Sequence, residues 1–572
     1  MVESSRSASV WEAINASALS RRHFLQAAGL AGAAVTLGGC TSETGESSPT
    51  TGSPASSSGS NAAIPGPPWQ GGVRGGRGVS LWPETTLNYD PPLAYGTGDY
   101  YGLHNFYRGL TFYGPNAEPQ LDIAKSMDLS KDGLTYTFTL RDDVTFHNGR
   151  TVTAEDFKWT FERSTSNEIG SWVQGFLASV EGHKKFVDGK APGISGIIAK
   201  NDTTLILKLT KPDVTILAVV GIPPFYVLPK EEVERLGEKF SENPIGSGPF
   251  KLKSWDSGQS TLTAERYEGY VYGDDLPYLD EVEYRWNVSE DIAYLAVAKN
   301  EADLTLAVPA SAIPRIKQDP EQSKRFKEWG SFTLSYWQLD LSKPPFDDVR
   351  VRQAMNYAFD RESAAIFGYV PNGHFYPEGL LGFDESAPVF SYDPDKAKAL
   401  LDEAGATGIS FTLPVFGGAG VSAGASDKLA QLLQQNLKDV GITVELEQVS
   451  VNPYEIGADL PNRYRMWTMG WGMGLPDPSE LVSSLIGTGA PSNFHGYSNP
   501  KIDELGLAAV SEPDRDKRGE MYAEIERLLL EDVPCLFLGT FNAPTFTSAT
   551  LQNFYYEPIL RTYWDRYWQN GS

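Results

Sequence analysis

The chain has 572 residues, of which 41% are hydrophobic and 12% aromatic, so its composition is that of a folded protein with more than one core. Its formal net charge of −25 argues against non-specific nucleic-acid binding, which needs clustered Lys and Arg. Its two cysteines, Cys40 and Cys535, are too few for a disulfide framework.

The N-terminus has the pattern of an export signal. Arg21 and Arg22 precede the apolar run 27–37, which is too short to span a bilayer, and the doublet resembles a twin-arginine signal. The sequence LGGC that ends at Cys40 resembles a bacterial lipobox, in which the cysteine becomes lipidated. We therefore predict a signal peptide over 1–39 and a mature protein anchored by Cys40, in the periplasmic space or on the outer face of the cytoplasmic membrane.

Residues 40–69 form the next segment, which is rich in Ser, Thr, Gly and Pro. Such a composition buries too little apolar surface to fold, so after the lipidated cysteine we predict a flexible tether. A tether of this kind lets a globular body move beside the membrane that holds it.

The first clear elements of the body lie between 132 and 164. The stretch DGLTYTFTLR (132–141) starts with an Asp-Gly turn signal and alternates apolar residues with threonines, which predicts a half-buried strand. In TAEDFKWTFERS, Thr153 is the predicted N-cap of a helix, because two acidic residues follow in the first turn.

Two further helices are predicted over 347–362 and 392–405. Asp393 is the expected N-cap of the second helix, and Gly405 is expected to end it. The apolar residues of each helix recur at i, i+3, i+4 and i+7, a spacing that predicts a core-facing stripe: Val351, Ala354, Met355 and Ala358, then Ala397, Leu400, Leu401 and Ala404. Helices interspersed with strands predict an α/β body.

The sequence GWGMGLPDP (470–478) follows the strand-like run RYRMWTM (463–469). Its glycines and prolines exclude a helix interior, so it has to be a loop or an irregular strand end. Further on, Cys535 in DVPCLFLG is predicted to be a small buried core residue and not a nucleophile.

Four blocks in one order carry a resemblance to a known family: 123–164, 243–255, 344–362 and 392–405. Together they resemble the oligopeptide-type solute-binding proteins of ABC importers, the extracellular solute-binding protein family 5. The similarity covers roughly 75–570, nearly the whole mature body.

The resemblance implies a two-lobed, periplasmic-binding-protein-like (Venus-flytrap) fold with an extra subdomain on the first lobe. The chain would cross between the lobes near 335–342 and again near 536–543. The implied divisions are 70–113, 215–330 and 540–572 for lobe I, 114–214 for the extra subdomain, and 331–539 for lobe II.

The implied function is to capture a peptide-like solute between the lobes and deliver it to the permease subunits of an ABC importer. The resemblance implies binding and no catalysis, a monomer, and no cofactor. In this family the equivalent of 470–478 runs along the cleft, where glycine lets the backbone approach a ligand closely. The predicted ligand-binding residues are Trp471, Gly470, Gly472, Met473, Gly474, Thr468, Trp467 and Trp172.

Two positions depart from the pattern of the peptide-binding members. Gly474 stands where those members commonly carry the aspartate that holds the ligand ammonium, and Thr468 stands where several carry an arginine for the carboxylate. Asp477 is a possible substitute, but we interpret it as the cap of a turn or of the following helix. A peptide and an oligosaccharide or other neutral solute both stay open as ligands, the tryptophans being suited to stacking on sugars.

Two other site types receive little support. The histidines outside the signal (His104, His147, His183, His374 and His495) are not paired at ligand spacing, so we expect no metal site, and His147 is interpreted as structural. GVSAG (420–424) matches the nucleophile elbow of hydrolases around Ser422, with Asp477 and His495 following in order. It stands in a long Gly/Ala/Ser-rich loop and not in a sharp turn, so a serine hydrolase is only a remote alternative.

Overall fold

A computed structural model describes residues 71–571 apart from short gaps at 85–86, 95–96, 115–117, 274–275, 368, 417–422, 451–452, 454–455 and 558–560. The signal, Cys40 and the tether lie outside these ranges, as does Ser422. None of the helices in the described ranges is long and apolar enough to cross a bilayer.

The strands follow the chain in this order: β1 (Arg77–Leu81), β2 (Thr111–Tyr113), β3 (Pro119–Leu121), β4 (Ala124–Leu129), β5 (Thr135–Leu140), β6 (Ile197–Asn201), β7 (Thr204–Lys208), β8 (Phe250–Asp256), β9 (Thr261–Arg266), β10 (Glu281–Arg285), β11 (Leu304–Thr305), β12 (Phe326–Leu339), β13 (Tyr369–Val370), β14 (Ser410–Phe416), β15 (Thr443–Val449), β16 (Met466–Gly472), β17 (Cys535–Thr547), β18 (Leu551–Gln552), β19 (Tyr556–Glu557), β20 (Arg561–Thr562) and β21 (Trp568–Gln569).

The α-helices span Thr97–Phe106, Ala154–Thr165, His183–Val187, Ile216–Val219, Lys230–Leu236, Glu290–Ala298, Ile313–Gln318, Gln322–Arg325, Val349–Ala358, Arg361–Ala364, Pro394–Glu403, Ala423–Asp439, Leu460–Arg463, Ser479–Leu481, Pro500–Ser511 and Arg515–Asp532. Short 3-10 turns and one π-turn, Val482–Ile486, connect several of them. Helices and strands alternate along the whole described chain, so the α/β prediction is confirmed.

The largest sheet of the described ranges has nine strands, and two long antiparallel strands run through it. Its order is β16-β12-β17-β11-β1-β10-β9-β8, with β13 also pairing with β17. The first part of β12 lies opposite residues 542–546, and its last part lies between β17 and β16. β12 and β17 therefore connect the β16 end of the sheet to the β1 end. The two predicted crossings between lobes, near 335–342 and 536–543, fall on these two strands.

The pairing of β12 with β17 is interrupted in the middle. Register shifts occur between Gly330 and Leu334 and between Ser335 and Tyr336. On the facing strand, Gly539 has φ +132, and an added Cβ would stand 2.1 Å from the carbonyl oxygen of Val370. Only glycine fits that position, so the irregularity in the two crossing strands is built into the sequence.

The range 114–214 contains a sheet of its own, in the order β4-β5-β7-β6. Strand β5 is the one predicted from alternation, and Tyr136, Phe138 and Leu140 are its buried residues, as expected. The helix Ala154–Thr165 begins directly after Thr153, and the Asp156 carboxylate accepts a hydrogen bond from the Thr153 backbone N–H at 2.9 Å.

The helices predicted from apolar spacing are also present. Helix Pro394–Glu403 is capped by Asp393, whose carboxylate accepts from Lys396 N at 2.9 Å, and Gly405 follows it with φ +63. The predicted stripe of helix Val349–Ala358 is buried. The predicted range 347–362 was too long, because a separate short helix, Arg361–Ala364, follows.

Three features of the described ranges have structural roles: the Arg108–Asp122 pair, His147 and Cys535. Arg108 donates to both oxygens of Asp122, at 2.7 and 2.9 Å, with both side chains buried. His147 accepts from Gly246 N at 3.2 Å and lies 3.1 Å from Gly248 O, and burial lowers its pKa to about 4. His147 is therefore a structural residue, as predicted. Cys535 is buried and unbridged, also as predicted, and burial raises the pKa of its thiol.

Candidate ligand-binding site

The predicted binding segment, 470–478, begins in β16, which is an edge strand of the large sheet. β16 pairs antiparallel with β12, so that Gly472 faces Thr333 and Met466 faces Leu339. Its first residues are buried, and exposure begins at Gly470. The strand therefore leaves the core within its own length, and the glycine-containing part is the part that reaches the surface.

Three of the predicted ligand-binding residues, Trp467, Met473 and Thr468, lie wholly or partly within the folded core. Trp467 is fully buried, and its indole nitrogen donates to Gln338 Oε1 at 2.8 Å. Met473 is also buried, and its backbone N–H donates to Phe332 O at 2.8 Å. Thr468 is half-buried and lies opposite Trp337 in the ladder. The side chains of Trp467 and Met473 belong to the core, so any part they have in ligand binding remains a prediction.

The turn after β16 is organised by a residue that the sequence analysis did not select. Glu480 accepts hydrogen bonds from Trp471 Nε1 at 2.8 Å, from Gly474 N at 3.3 Å and from Leu475 N at 2.6 Å. Its side chain is only 2% exposed. Glu480 therefore fixes both the indole ring of Trp471 and the backbone of the loop that follows.

The surroundings of Glu480 disfavour the charged form of its carboxyl group. Its pKa is raised to about 7, mainly by burial and to a smaller extent by the negative charge of Asp477, while the three hydrogen bonds oppose this shift. Within the described part of the chain, Glu480 forms no ion pair. A carboxyl group that titrates near neutral pH is thus hydrogen-bonded to both Trp471 and Gly474.

Asp477 has a different partner. Its carboxylate accepts from Ser479 N at 3.0 Å and from Arg518 Nη2 at 2.6 Å. Arg518 lies on helix Arg515–Asp532 and also donates to Ala509 O. The interpretation of Asp477 as a turn cap is confirmed, and its charge is already balanced by Arg518.

Trp172 reaches the same loop from the range predicted as the extra subdomain. An ideal Cβ on Gly474 would stand 2.5 Å from Cη2 of Trp172, so the indole ring lies directly against this glycine. The Trp172 ring also packs edge-on against Phe176, at 5.3 Å between centroids. Its Nε1 atom is buried and has no hydrogen-bond partner among the described residues. The structure therefore brings together two of the predicted site residues, Trp172 and Gly474, and their part in ligand binding stays a prediction.

The three glycines of this segment differ in how much space surrounds them. A Cβ on Gly470 would meet Leu334 O at 3.5 Å, and one on Gly472 would meet Thr333 Oγ1 at 3.9 Å, both ordinary contacts. Only Gly474 is closely approached by another part of the protein. A close approach to Gly470 or Gly472 by a ligand remains a prediction.

The hydrolase alternative gains no support from the described residues. Asp477 is engaged by Arg518, and His495 is buried with its ring stacked on Tyr497, 6.1 Å between centroids. Burial lowers the pKa of His495 to about 3. Ser422 lies outside the described residues.

Glu480 and Arg518 are the residues of this site that sequence reasoning missed. Nothing in SELV (479–482) distinguishes a buried glutamate from an exposed one, because the short segment has no apolar periodicity. An acidic residue close behind the glycine-rich loop was the only available signal.

Comparisons with known proteins agree on one family. A family profile described as bacterial extracellular solute-binding proteins, family 5 middle, matches residues 118–493. The dipeptide-binding protein DppE of Bacillus subtilis is 27% identical over 498 residues, which cover 83% of this chain and 87% of the relative. The dipeptide-binding protein of Escherichia coli is 27% identical over 442 residues, which cover 73% and 80%.

A solved structure gives the fold. The murein tripeptide binding protein MppA of Escherichia coli superimposes with a TM-score of 0.72 at 22% identity, covering 86% of this chain and 98% of its own. The predicted two-lobed α/β fold of periplasmic binding proteins is thereby confirmed.

Proposed function

Because this chain belongs to the bacterial extracellular solute-binding proteins of family 5, we propose that it captures a peptide-like solute between two lobes and delivers it to the permease of an ABC importer. The observation that carries the proposal is the meeting of Trp172 with Gly474, at the point where β16 leaves the core. The relatives named for dipeptides support a peptide as the solute. Binding, and no chemical step, is then the activity.

We propose that the lobes divide as the sequence predicts, with 70–113, 215–330 and 540–572 in lobe I and 331–539 in lobe II. The register shifts of β12 near Gly330 and the glycine-only position at Gly539 support this division, because they fall close to its boundaries. The separate sheet β4-β5-β7-β6 supports 114–214 as an extra subdomain. Hinge closure would then bring Trp172 onto Gly474.

We further propose that the ligand lies along the end of β16, with Trp471 beneath it. β16 is the last strand of its sheet, and an extended peptide adds favourably to such an edge. The Trp172 N–H, buried without a partner among the described residues, is a donor that a ligand carbonyl or hydroxyl would satisfy. Gly470, Gly472 and Gly474 supply the narrow backbone surface for this contact.

The test is a thermal-shift panel on the purified full chain, with a randomised tripeptide library in one arm and maltotriose in the other. A ligand present at a hundred times its dissociation constant adds about 2.7 kcal/mol to the stability of the folded state. A raised Tm with tripeptides supports the proposal. A raised Tm with maltotriose alone would replace the peptide by a neutral solute.

We also propose that the protein is exported through its twin-arginine signal and anchored to the membrane by a lipid on Cys40. The LGGC sequence and the extracellular assignment of the family support this. Replacing Cys40 by alanine is expected to move the protein from the membrane fraction to the soluble fraction, whereas Cys535→Ala should leave it in the membrane fraction. Equal partitioning of the two variants contradicts the anchor.

A further inference from the structure

The proposed extra subdomain, 114–214, meets residues 510–515 of the proposed lobe II through three polar contacts. Two are hydrogen bonds to the end of a helix, and one is an ion pair between exposed side chains. They are Val214 N–H to Val510 O at 2.9 Å, Ser511 Oγ to Pro212 O at 3.0 Å, and Arg515 Nη2 to Glu118 Oε1 at 3.3 Å. We refer to them as the bridging contacts. They use neither the segment 470–478 nor Trp172, so they lie apart from the proposed ligand contacts.

The end of helix Pro500–Ser511 carries carbonyl groups that the helix itself cannot satisfy. Arg518, on the next helix of the same proposed lobe, donates to Ala509 O at 2.9 Å. The following carbonyl, that of Val510, accepts from Val214 instead. Neighbouring carbonyls of one helix end are therefore satisfied from two different parts of the chain. If these parts separate, water has to replace Val214 as the donor to Val510.

The segment 212–214 is held in place from its own side. Asp213 is buried, and its carboxylate accepts from Thr215 N at 3.0 Å and from Thr215 Oγ1 at 2.6 Å. The Tyr136 hydroxyl donates to the Asp213 carbonyl at 3.1 Å, and Pro212 adds a fixed φ angle. The groups that meet the helix are therefore ordered before they make their contacts, which lowers the entropic cost of forming them.

The range 114–214 is fixed more firmly to the proposed lobe I. Arg163 donates to both oxygens of Asp90, at 2.8 and 2.6 Å, and both side chains are largely buried. The Leu228 N–H also donates to Thr160 Oγ1 at 3.1 Å. Breaking a buried, bidentate ion pair costs far more than breaking an exposed one. A separation of the lobes would therefore break the bridging contacts first and leave 114–214 attached to lobe I.

We infer that the bridging contacts are a latch, which stabilises the closed state of a mainly open chain without touching the ligand. The inference rests on the proposed function and deepens it, because it assigns part of the affinity to residues outside the ligand site. A solute that binds the closed state is held more tightly by the factor by which the latch favours that state. The latch thus sets how tightly solutes are held, whereas the binding segment sets which solutes are held.

The experiment combines equilibrium capture of a randomised tripeptide library by the full chain with hydrogen exchange at the Val214 amide. A saturating library is expected to slow this exchange, because ligand binding closes the latch. Ser511→Ala removes one hydrogen bond of the latch, so it should lower the affinity for the library and speed the exchange in its presence, each roughly 2- to 10-fold. Ser363→Ala is the matched control, because it removes a hydroxyl that bonds Asp360 within the proposed lobe II, and it should change neither quantity.

A charge exchange tests the ion pair of the latch separately. Arg515→Glu places a second negative charge opposite Glu118 and is expected to lower the affinity roughly 2- to 5-fold at low ionic strength. Adding Glu118→Lys should restore the affinity, which simple loss of a structural contact would not allow.

Four results would overturn the inference and leave peptide binding in place. They are equal exchange at Val214 with and without captured peptide, an unchanged affinity in Ser511→Ala, an equal loss in Ser363→Ala, and an Arg515→Glu defect that Glu118→Lys does not restore. Capture of no tripeptide overturns the proposed function, and the inference with it.

Discussion

Replacing Gly474 by alanine tests whether the contact with Trp172 belongs to the closed, ligand-holding state. The added Cβ would stand 2.5 Å from Cη2 of Trp172 and 3.2 to 3.3 Å from two further ring atoms. Carbon atoms of this kind essentially never approach closer than 3.0 Å, so the ring or the loop has to move by at least the difference of 0.5 Å. The loop is restrained by its hydrogen bonds to Glu480.

The expected magnitude follows from the cost of overpacking, about 1–3 kcal/mol for one extra methyl group in a filled space. If Trp172 and Gly474 lie on parts that separate when the cleft opens, this cost falls on the closed state alone. Ligand affinity should then fall roughly 5- to 150-fold. The Tm of the ligand-free chain should change little, because the open state has room for the methyl group.

The assay is titration calorimetry with the captured tripeptides, together with thermal unfolding in the absence of ligand. Gly175→Ala is the matched control, because a Cβ there has no heavy atom within 4 Å. In the double variant, Trp172→Ala should relieve the steric part of the Gly474→Ala defect, which a double-mutant cycle isolates. A lowered ligand-free Tm with unchanged affinity would refute the reasoning, because it would make the contact a permanent part of the core.

Three further predictions follow from the described contacts. Trp471→Ala should weaken ligand binding at least tenfold in calorimetry while the chain stays folded by circular dichroism, and an unchanged affinity would rule out this placement of the cleft. Asp122→Asn leaves Arg108 buried without its counter-charge and should cost about 3–5 kcal/mol in urea unfolding, whereas Asp395→Asn, at an exposed pair, should cost under about 1 kcal/mol. The folded-state pKa of Glu480 is raised from 4.5 to about 7, so between these pH values the folded, ligand-free protein binds more protons than the unfolded chain. The free energy of unfolding should therefore fall by up to about 3 kcal/mol through Glu480 as the pH rises from 4.5 to 7. The pH series of unfolding free energies should be flatter for Glu480→Gln, and parallel curves would show that the group does not titrate there.

The sequence by itself determined the elements whose signals are local. Alternation selected β5, and apolar spacing with capping residues selected the helices Val349–Ala358 and Pro394–Glu403. These patterns succeed because strand and helix periods are written into neighbouring residues. The glycines and prolines of 470–478 likewise showed that a strand must end there, which β16 does at Gly472.

Only the tertiary structure decided which residues meet. Trp467 and Trp471 were both predicted to bind the ligand, yet the first is core and the second donates a hydrogen bond to Glu480, because strand pairing sets which positions of β16 are covered. The contact of Trp172 with Gly474 joins distant parts of the chain, and no local pattern encodes it. Glu480 became a site candidate only once its burial was known, since the pKa of a carboxyl depends on its surroundings and not on its neighbours in sequence.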